Sequence, residues 1–280
     1  MRSLQPIRRV PAARAFARAL RRSWEQLRPL PHPRYRRGTP DTGSSSPYGI
    51  FFPPTISTLA EGALAPEAVE FVIGLLHKLT ASEETWGQEF FQRWAQGRFG
   101  RHWRYADVTT VLTAASMLIR PKSYLEIGVR RGRSAAVVGA TAPDCAIYGF
   151  DLWLEDYAGL ENPGPDFVRS ELRAAGHTGQ VTLISGNSHR TVPAFLRERP
   201  DLFFDLITVD GDHSVPGAAR DLADVLPRLK VGGVIVFDDI AVAPQLVRVW
   251  RRLVADDRRY RAWEFDEAGA GIAAAVRVGV

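Results

Sequence analysis

The stretch Leu202-Phe203-Phe204-Asp205-Leu206-Ile207-Thr208-Val209-Asp210-Gly211-Asp212-His213 and its shorter echo Val231-Gly232-Gly233-Val234-Ile235-Val236-Phe237-Asp238-Asp239 decide how this chain folds. Each is an apolar run that stops abruptly at acids. Such a run, rich in β-branched and aromatic residues, predicts a strand buried on both faces of a parallel sheet. Between them, Ala218, Leu222, Val225, Leu226 and Leu229 recur at helical spacing. A strand, a helix and a second strand joined by a right-handed crossover leave both strand ends on one edge of the sheet. The acids then converge in the crevice where open α/β sheets take their ligands. Carboxylates packed that closely raise one another's pKa unless a cation lies among them.

Outward from this unit the same alternation continues. From Pro121 the pattern predicts strands at 123–127, 145–150, 180–185, 203–209, 232–237, 258–265 and 271–278. Helices are expected near 132–141, 165–175, 190–198, 215–229 and 243–255. The last two strands are joined only by Glu267-Ala268-Gly269-Ala270-Gly271, too short for a crossover helix, so they form an antiparallel hairpin. The expected fold class is α/β, a doubly wound seven-stranded sheet, mostly parallel, with an antiparallel C-terminal hairpin.

Residues 56–119 read as helical, with amphipathic segments around Ala68–Leu79, around Phe90–Trp94 and over Val108–Ile119, the last N-capped by Asp107. They make a helical lid or substrate region ahead of the sheet. The stretch Trp94 to Tyr105 interleaves aromatic and basic residues, which suits either rings that stack on a sugar or a packed helix junction. Residues 1–55 differ in kind. Phe16, Leu20, Trp24 and Leu27 stripe one face of a basic helix, and residues 29–54 are rich in Pro, Ser, Gly and Thr. Three regions follow: a basic arm and linker (1–55), the lid (56–119) and the sheet domain (120–280).

Net charge is +5, yet the first 38 residues hold eleven arginines against one acid, Glu25. The rest of the chain is therefore net acidic, which argues against a nucleic-acid surface on the main domain. Residues 11–28 instead suit contact with a membrane surface or a protein partner, and an arm of this length favours a homo-oligomer. No apolar run reaches the roughly 18 residues of a membrane span. The single cysteine, Cys145, allows no internal disulfide, so a cytoplasmic protein is expected.

Two further motifs carry chemistry. Tyr124-Leu125-Glu126-Ile127-Gly128-Val129-Arg130-Arg131-Gly132-Arg133-Ser134 is a strand, a glycine turn and a helix start, where backbone approaches a ligand closely and free N–H groups face it. It lacks the G-x-G-x-x-G spacing of nicotinamide enzymes. The next strand ends in Phe150-Asp151-Leu152-Trp153, which places Asp151 to accept from ribose hydroxyls and Trp153 to lie against adenine. The third ends in Ser185-Gly186-Asn187-Ser188, whose polar side chains suit an adenine edge and equally suit an ordinary turn.

With these residues in view, the succession YLEIGVRRGRS, GFDLW, LISGNS and LITVDGDHSVPGAARDLADVLPRLKVGGVIVFDDI resembles a class I S-adenosylmethionine-dependent methyltransferase with a Rossmann-like sheet. Within that class it is similar to the group holding metal-dependent sugar O-methyltransferases and cephalosporin hydroxylase-like proteins. The resemblance spans about residues 105–280. It implies that Glu126 and Gly128 hold the methionine portion of the donor, Gly132 and Ser134 the helix start, and Asp151 the ribose, with Asp210 on the border of donor and metal. It further implies Mg²⁺, or another divalent cation, on Asp210, Asp238 and Asp239, with Asp212 as base.

A sulfonium is already activated, so such an enzyme mainly aligns an oxygen with the methyl carbon and removes its proton. His213 is the alternative base, because neutral imidazole suits the task near pH 7. Asp212 and His213 also have a structural reading at the start of the following helix. The acceptor implied is a hydroxylated small molecule, a sugar or glycosylated natural product. Two alternatives stay open: a metal-independent O- or N-methyltransferase, and a non-catalytic binding protein docked by its basic arm.

Overall fold

The structure, a computed structural model, describes residues 55–155 and 161–279. The arm, with the expected helix at 11–28, lies outside the described residues. Among the described residues, four α-helices precede the sheet: α1 (Thr55–Ala63), α2 (Pro66–Leu76), α3 (Glu83–Phe99) and α4 (Val108–Ile119). Two of them start as local chemistry dictates. Ser82 and Asp107 each accept a bond from the backbone N–H three residues on, and the Thr hydroxyl there, on Thr85 or Thr110, accepts one from the cap's own N–H.

Strands and helices then alternate: β1 (Ser123–Ile127), α5 (Arg133–Thr141), β2 (Ala146–Asp151), α6 (Pro165–Ala175), β3 (Val181–Ser185), α7 (Ser188–Glu198), β4 (Phe204–Val209), α8 (Val215–Val225) and β5 (Leu229–Asp238). Helix α9 (Pro244–Trp250) runs into one π turn at Arg251–Ala255, and β6 (Tyr260–Phe265) and β7 (Ile272–Arg277) close the chain. The sheet order is β3-β2-β1-β4-β5-β7-β6. Its first five strands run parallel, β7 runs antiparallel to β5, and β6 and β7 form the expected hairpin.

Strand alternation divides the core into two layers. Leu125, Ile127, Ile207, Val209, Ile235 and Phe237 pack with α7, α8 and α9 on one face. Tyr124, Ile147, Leu206, Val234 and Val236 pack with α1, α4, α5 and α6 on the other. Helix α4 is therefore part of the sandwich itself, with α1 and α2 laid over it and α3 packed on α2. On the opposite face the indole of Trp250 is wholly buried and stacks on Phe237, with centroids 5.9 Å apart and an interplanar angle of 6°. This stack supports the strand that carries Asp238.

The sharpest backbone constraint lies between β1 and β4. Gly128 has φ +88°, and a Cβ there would strike the carbonyl carbon and oxygen of Asp210. Only glycine lets these two strand ends meet.

Replacing Trp250 by Ala removes the stack and leaves a cavity under β5. It should cost about 3–5 kcal/mol in urea-induced unfolding, with Trp250→Phe losing much less. An unchanged midpoint for the alanine variant would show that this stack does not hold the sheet.

Candidate active site

The half of the site that the sequence assigns to the donor is built on the ends of β1 and β2. Glu126 is wholly buried, accepts a bond from the Ser134 hydroxyl at the start of α5, and leaves its Oε2 without a partner. Burial pushes its pKa up to about 8; the Ser134 bond opposes the rise, and the nearby charges of Asp210 and Asp151 add to it. Gly132, at φ +76°, opens α5, and its Cβ position is filled by Val168 of α6.

Asp151 folds back over the glycine turn. Its Oδ2 accepts from the Arg130 N–H at 2.7 Å and its Oδ1 from the Trp153 N–H at 2.6 Å, with Asn162 at 3.4 Å. Trp153, in the left-handed region at φ +53°, packs beside the α4–α5–α6 core layer, and its indole N–H is buried without a partner. Asn187 caps α7 through the His189 N–H, and Ser188 donates to Asp221 Oδ1 at 2.7 Å. The side-chain oxygens of both are thus engaged within the protein at the end of β3.

The second half lies at the ends of β4 and β5. The Asp210 N–H donates to the Ile127 carbonyl at 2.8 Å, which locks it beside the glycine turn. The His213 ring stands between two acids, with Nε2 3.3 Å from Asp210 Oδ1 and Nδ1 3.2 Å from Asp239 Oδ2. Asp239 takes φ +64°, and its N–H fixes Oδ1 of Asp238 at 2.9 Å. One ligand atom each from Asp210, His213 and Asp239 fall within 4.8 Å of one another.

Asp238 stands beside this trio and outside it. Burial, then the neighbouring charges of Asp210 and Asp239, raise its pKa well above the usual carboxylate range. Asp239 is raised by burial and by Asp210, an effect that His213 opposes, and the His213 pKa is raised chiefly by its bond to Asp210.

Asp212 is not brought to this group. Its Oδ1 accepts from the Ser214 N–H at 2.9 Å, its carboxylate lies over Gly217 at the start of α8, and its Oδ2 is 3.9 Å from His189. His189 in turn lies 3.3 Å from the buried Asp221. The sequence reading put Asp212 and Asp238 with the metal cluster and its base. The structure gathers Asp210, His213 and Asp239, sets Asp238 alongside, and turns Asp212 toward α7.

Two contributions from the helical region escaped the sequence reading. Asp107, read only as a cap, gathers the Tyr105 hydroxyl (2.8 Å), the Gln88 amide (3.0 Å) and the Thr109 hydroxyl (2.6 Å), and its charge helps raise Asp238. Glu84 of α3 pairs with Arg130 and Arg133 at 3.2 and 3.3 Å and ties the helical region to the glycine turn. Their pairing spans a fold that sequence spacing does not specify.

Residues 125–240, which hold both halves of this site, match the family described as a methyltransferase domain. Over these residues, fewer than half of the chain, the sequence is similar to a methyltransferase domain. A protein of Sinorhizobium fredii, itself uncharacterized, is 28% identical over 141 residues, which is 48% of this chain and 15% of that protein. The chain thus spans a small part of that relative's length. Among solved structures, the O-methyltransferase TomG of Streptomyces achromogenes, involved in tomaymycin synthesis and crystallised with S-adenosylmethionine, superposes with a TM-score of 0.50 at 19% identity. That match covers 76% of this chain and 90% of the other. An O-methyltransferase of Bacillus cereus with S-adenosylhomocysteine gives 0.47 at 18% identity, covering 75% and 91%. The likeness to the first of these is one of fold.

For the methyltransferase domain, a pH-dependent stability follows from Glu126. Its pKa is about 8 when folded, against 4.5 as the reference, so the folded state keeps a proton that the unfolded chain releases. This contribution is full below pH 4.5 and is lost as pH rises toward 8. Glu126→Gln should therefore flatten the fall of Tm between these limits, measured by calorimetry in chelator. An identical pH slope in both proteins would show that Glu126 ionises freely.

Proposed function

We propose that this chain is an S-adenosylmethionine-dependent O-methyltransferase that acts on a hydroxyl of a sugar or glycosylated natural product, assisted by a divalent cation. One observation carries the reading. The carboxylate and imidazole cluster at the ends of β4 and β5 abuts the donor turn, through the contact of Gly128 with Asp210. A methyl donor on that turn and a hydroxyl at the cluster would be neighbours, the alignment on which an activated sulfonium depends.

The donor set fits a divalent cation. Of the three aspartates implied for Mg²⁺, Asp210 and Asp239 supply oxygens, and His213 takes the third place. A bound cation would supply Lewis acidity, lowering the pKa of a hydroxyl beside it. Asp210 and Asp239 orient the acceptor from two strand ends. Asp238 stands beside them with Oδ1 held by the Asp239 N–H; a cation's charge would offset the burial that favours its neutral form, and the ionised carboxylate takes the hydroxyl proton as the C–O bond forms. The sulfonium's methyl group leaves with its bond to sulfur broken, giving neutral S-adenosylhomocysteine. Asp107, with its lid partners, backs Asp238 and fixes the wall of the acceptor space.

A metal-free version of the same transfer would use His213 as base: Asp239 faces Nδ1 and fixes the tautomer, and Nε2 takes the proton once the acceptor displaces its contact with Asp210. Turnover in chelator separates the two.

Methyl-labelled S-adenosylmethionine offered with a panel of nucleotide sugars and glycosides should give labelled ether products. Asp238→Asn should cut turnover by about 10²–10⁴-fold while S-adenosylhomocysteine affinity, read by calorimetry, stays within about threefold. Full turnover in that variant would end the base assignment. Label appearing only on amines would end the hydroxyl reading, and absence of any heat with S-adenosylhomocysteine would end the enzyme reading altogether.

A further inference from the structure

Helix α3 faces the wrong way for the outer helix of a monomer. On its inner side Gln92 is wholly buried, with neither polar atom of its amide hydrogen-bonded. On its outer side Trp86, Phe90 and Trp94 stand 67%, 59% and 55% exposed, and Phe99 at its end 47%. Burial normally sorts side chains in the opposite sense, rings inward and amides outward. The exposed rings also form a surface: Trp86 stacks on Phe90 with centroids 5.5 Å apart, and Trp94 meets Phe99 edge-on at 6.0 Å. Phe91, Trp103 and Tyr105, by contrast, pack on one another as a helix junction.

The outer face is self-complementary. Glu83, Trp86, Phe90, Trp94 and Arg98 follow one another at spacings of three and four residues, which keeps all five on one stripe of the helix. Trp86 and Trp94 lie equally far from Phe90, with an acid closing one end and a base the other. That polarity already suits the dipole of a single helix. On a stripe of rings it does more. A second copy laid antiparallel about a two-fold axis at Phe90 sets ring against ring and each Glu83 against the partner's Arg98. Among the described residues, the Glu83 side chain has no ion-pair partner and Arg98 lies only over the Phe99 ring, so both charges are available. Four rings of roughly 200 Å² each, about half exposed, offer on the order of 400 Å² per copy, and patches of that size mark interaction sites. Two such faces with their flanking charges approach the low end of the roughly 1,200–2,000 Å² of a specific interface.

We propose that the outer face of α3 is an interface between two copies of this chain, packed antiparallel about a two-fold axis beside Phe90. Through Glu84 and Gln88 the same helix reaches Arg130 and Asp107, so a partner seated on α3 braces the wall of the candidate site from behind.

Sedimentation of the full chain over a range of concentrations tests this. Wild type should run as a dimer. Phe90→Ser should weaken association at least about 100-fold, as loss of a central ring does at an interface. Glu83→Arg and Arg98→Glu should each weaken it about tenfold by setting like charges opposite one another, and the two together should restore it to within about threefold. All three positions are exposed, and circular dichroism checks that each variant is folded. Gly87 lies on the same stripe, and a Cβ there meets nothing within 4 Å. Because Cys145 is the single native cysteine and is buried, Gly87→Cys adds the one surface thiol, and its labelling by maleimide should slow as the protein is concentrated. A wild type that stays monomeric overturns the proposal, and slow labelling of that monomer would assign the face to residues 1–54 of the same chain. A dimer that Phe90→Ser leaves intact overturns it in favour of another surface. A double charge swap that associates no better than the single ones rules out the antiparallel two-fold, and the proposal with it.

Discussion

The close approach of Gly128 to the Asp210 backbone is the constraint on which the rest of the site depends. Strands β1 and β4 are hydrogen-bonded neighbours, so their turns must share the same few ångströms at the sheet edge. A glycine with φ +88° allows it, and the Asp210 N–H bond to the Ile127 carbonyl fastens it. Donor turn and acid cluster are thereby parts of one rigid edge. Everything else in the core, from the stack of Trp250 on Phe237 to the two apolar layers, serves to hold that edge in register.

Burial then sets the electrostatics. Glu126, Asp238 and Asp239 all sit where a charge is poorly solvated, and each is pushed toward its neutral form. Such a concentration of raised carboxylates costs stability, which a domain retains where it binds a cation or moves a proton. His213 relieves part of the cost by standing between Asp210 and Asp239.

The helical region is an active participant in this arrangement. Helix α4 is a layer of the sandwich, and its N-terminal cap, Asp107, is also the hub that joins Tyr105 and Gln88 beside Asp238. Glu84 reaches from α3 to Arg130 and Arg133 on the donor turn. The division of the chain into a lid and a sheet domain at residue 119, natural from hydropathy, cuts through packing that the two share. Sequence spacing could find the cap, because its partner is three residues away. It could not find the hub, because Gln88 and Asp238 lie far away along the chain.

By itself the sequence determined the alternation of strands and helices, the hairpin at the C-terminus, the glycine turn and the arrival of Asp210, Asp238 and Asp239 at strand ends. These follow from local periodicity and from the rule that parallel strands finish on one edge, and both are written in nearest neighbours along the chain. Which acids actually meet was decided only by the tertiary structure. Successive side chains after a strand point in different directions, so Asp212 turned to the start of α8 and His213 turned inward to the place assigned to Asp238. One-residue differences in direction are invisible to a motif and decisive for a ligand set, because coordination depends on distances of a few ångströms that only folding fixes.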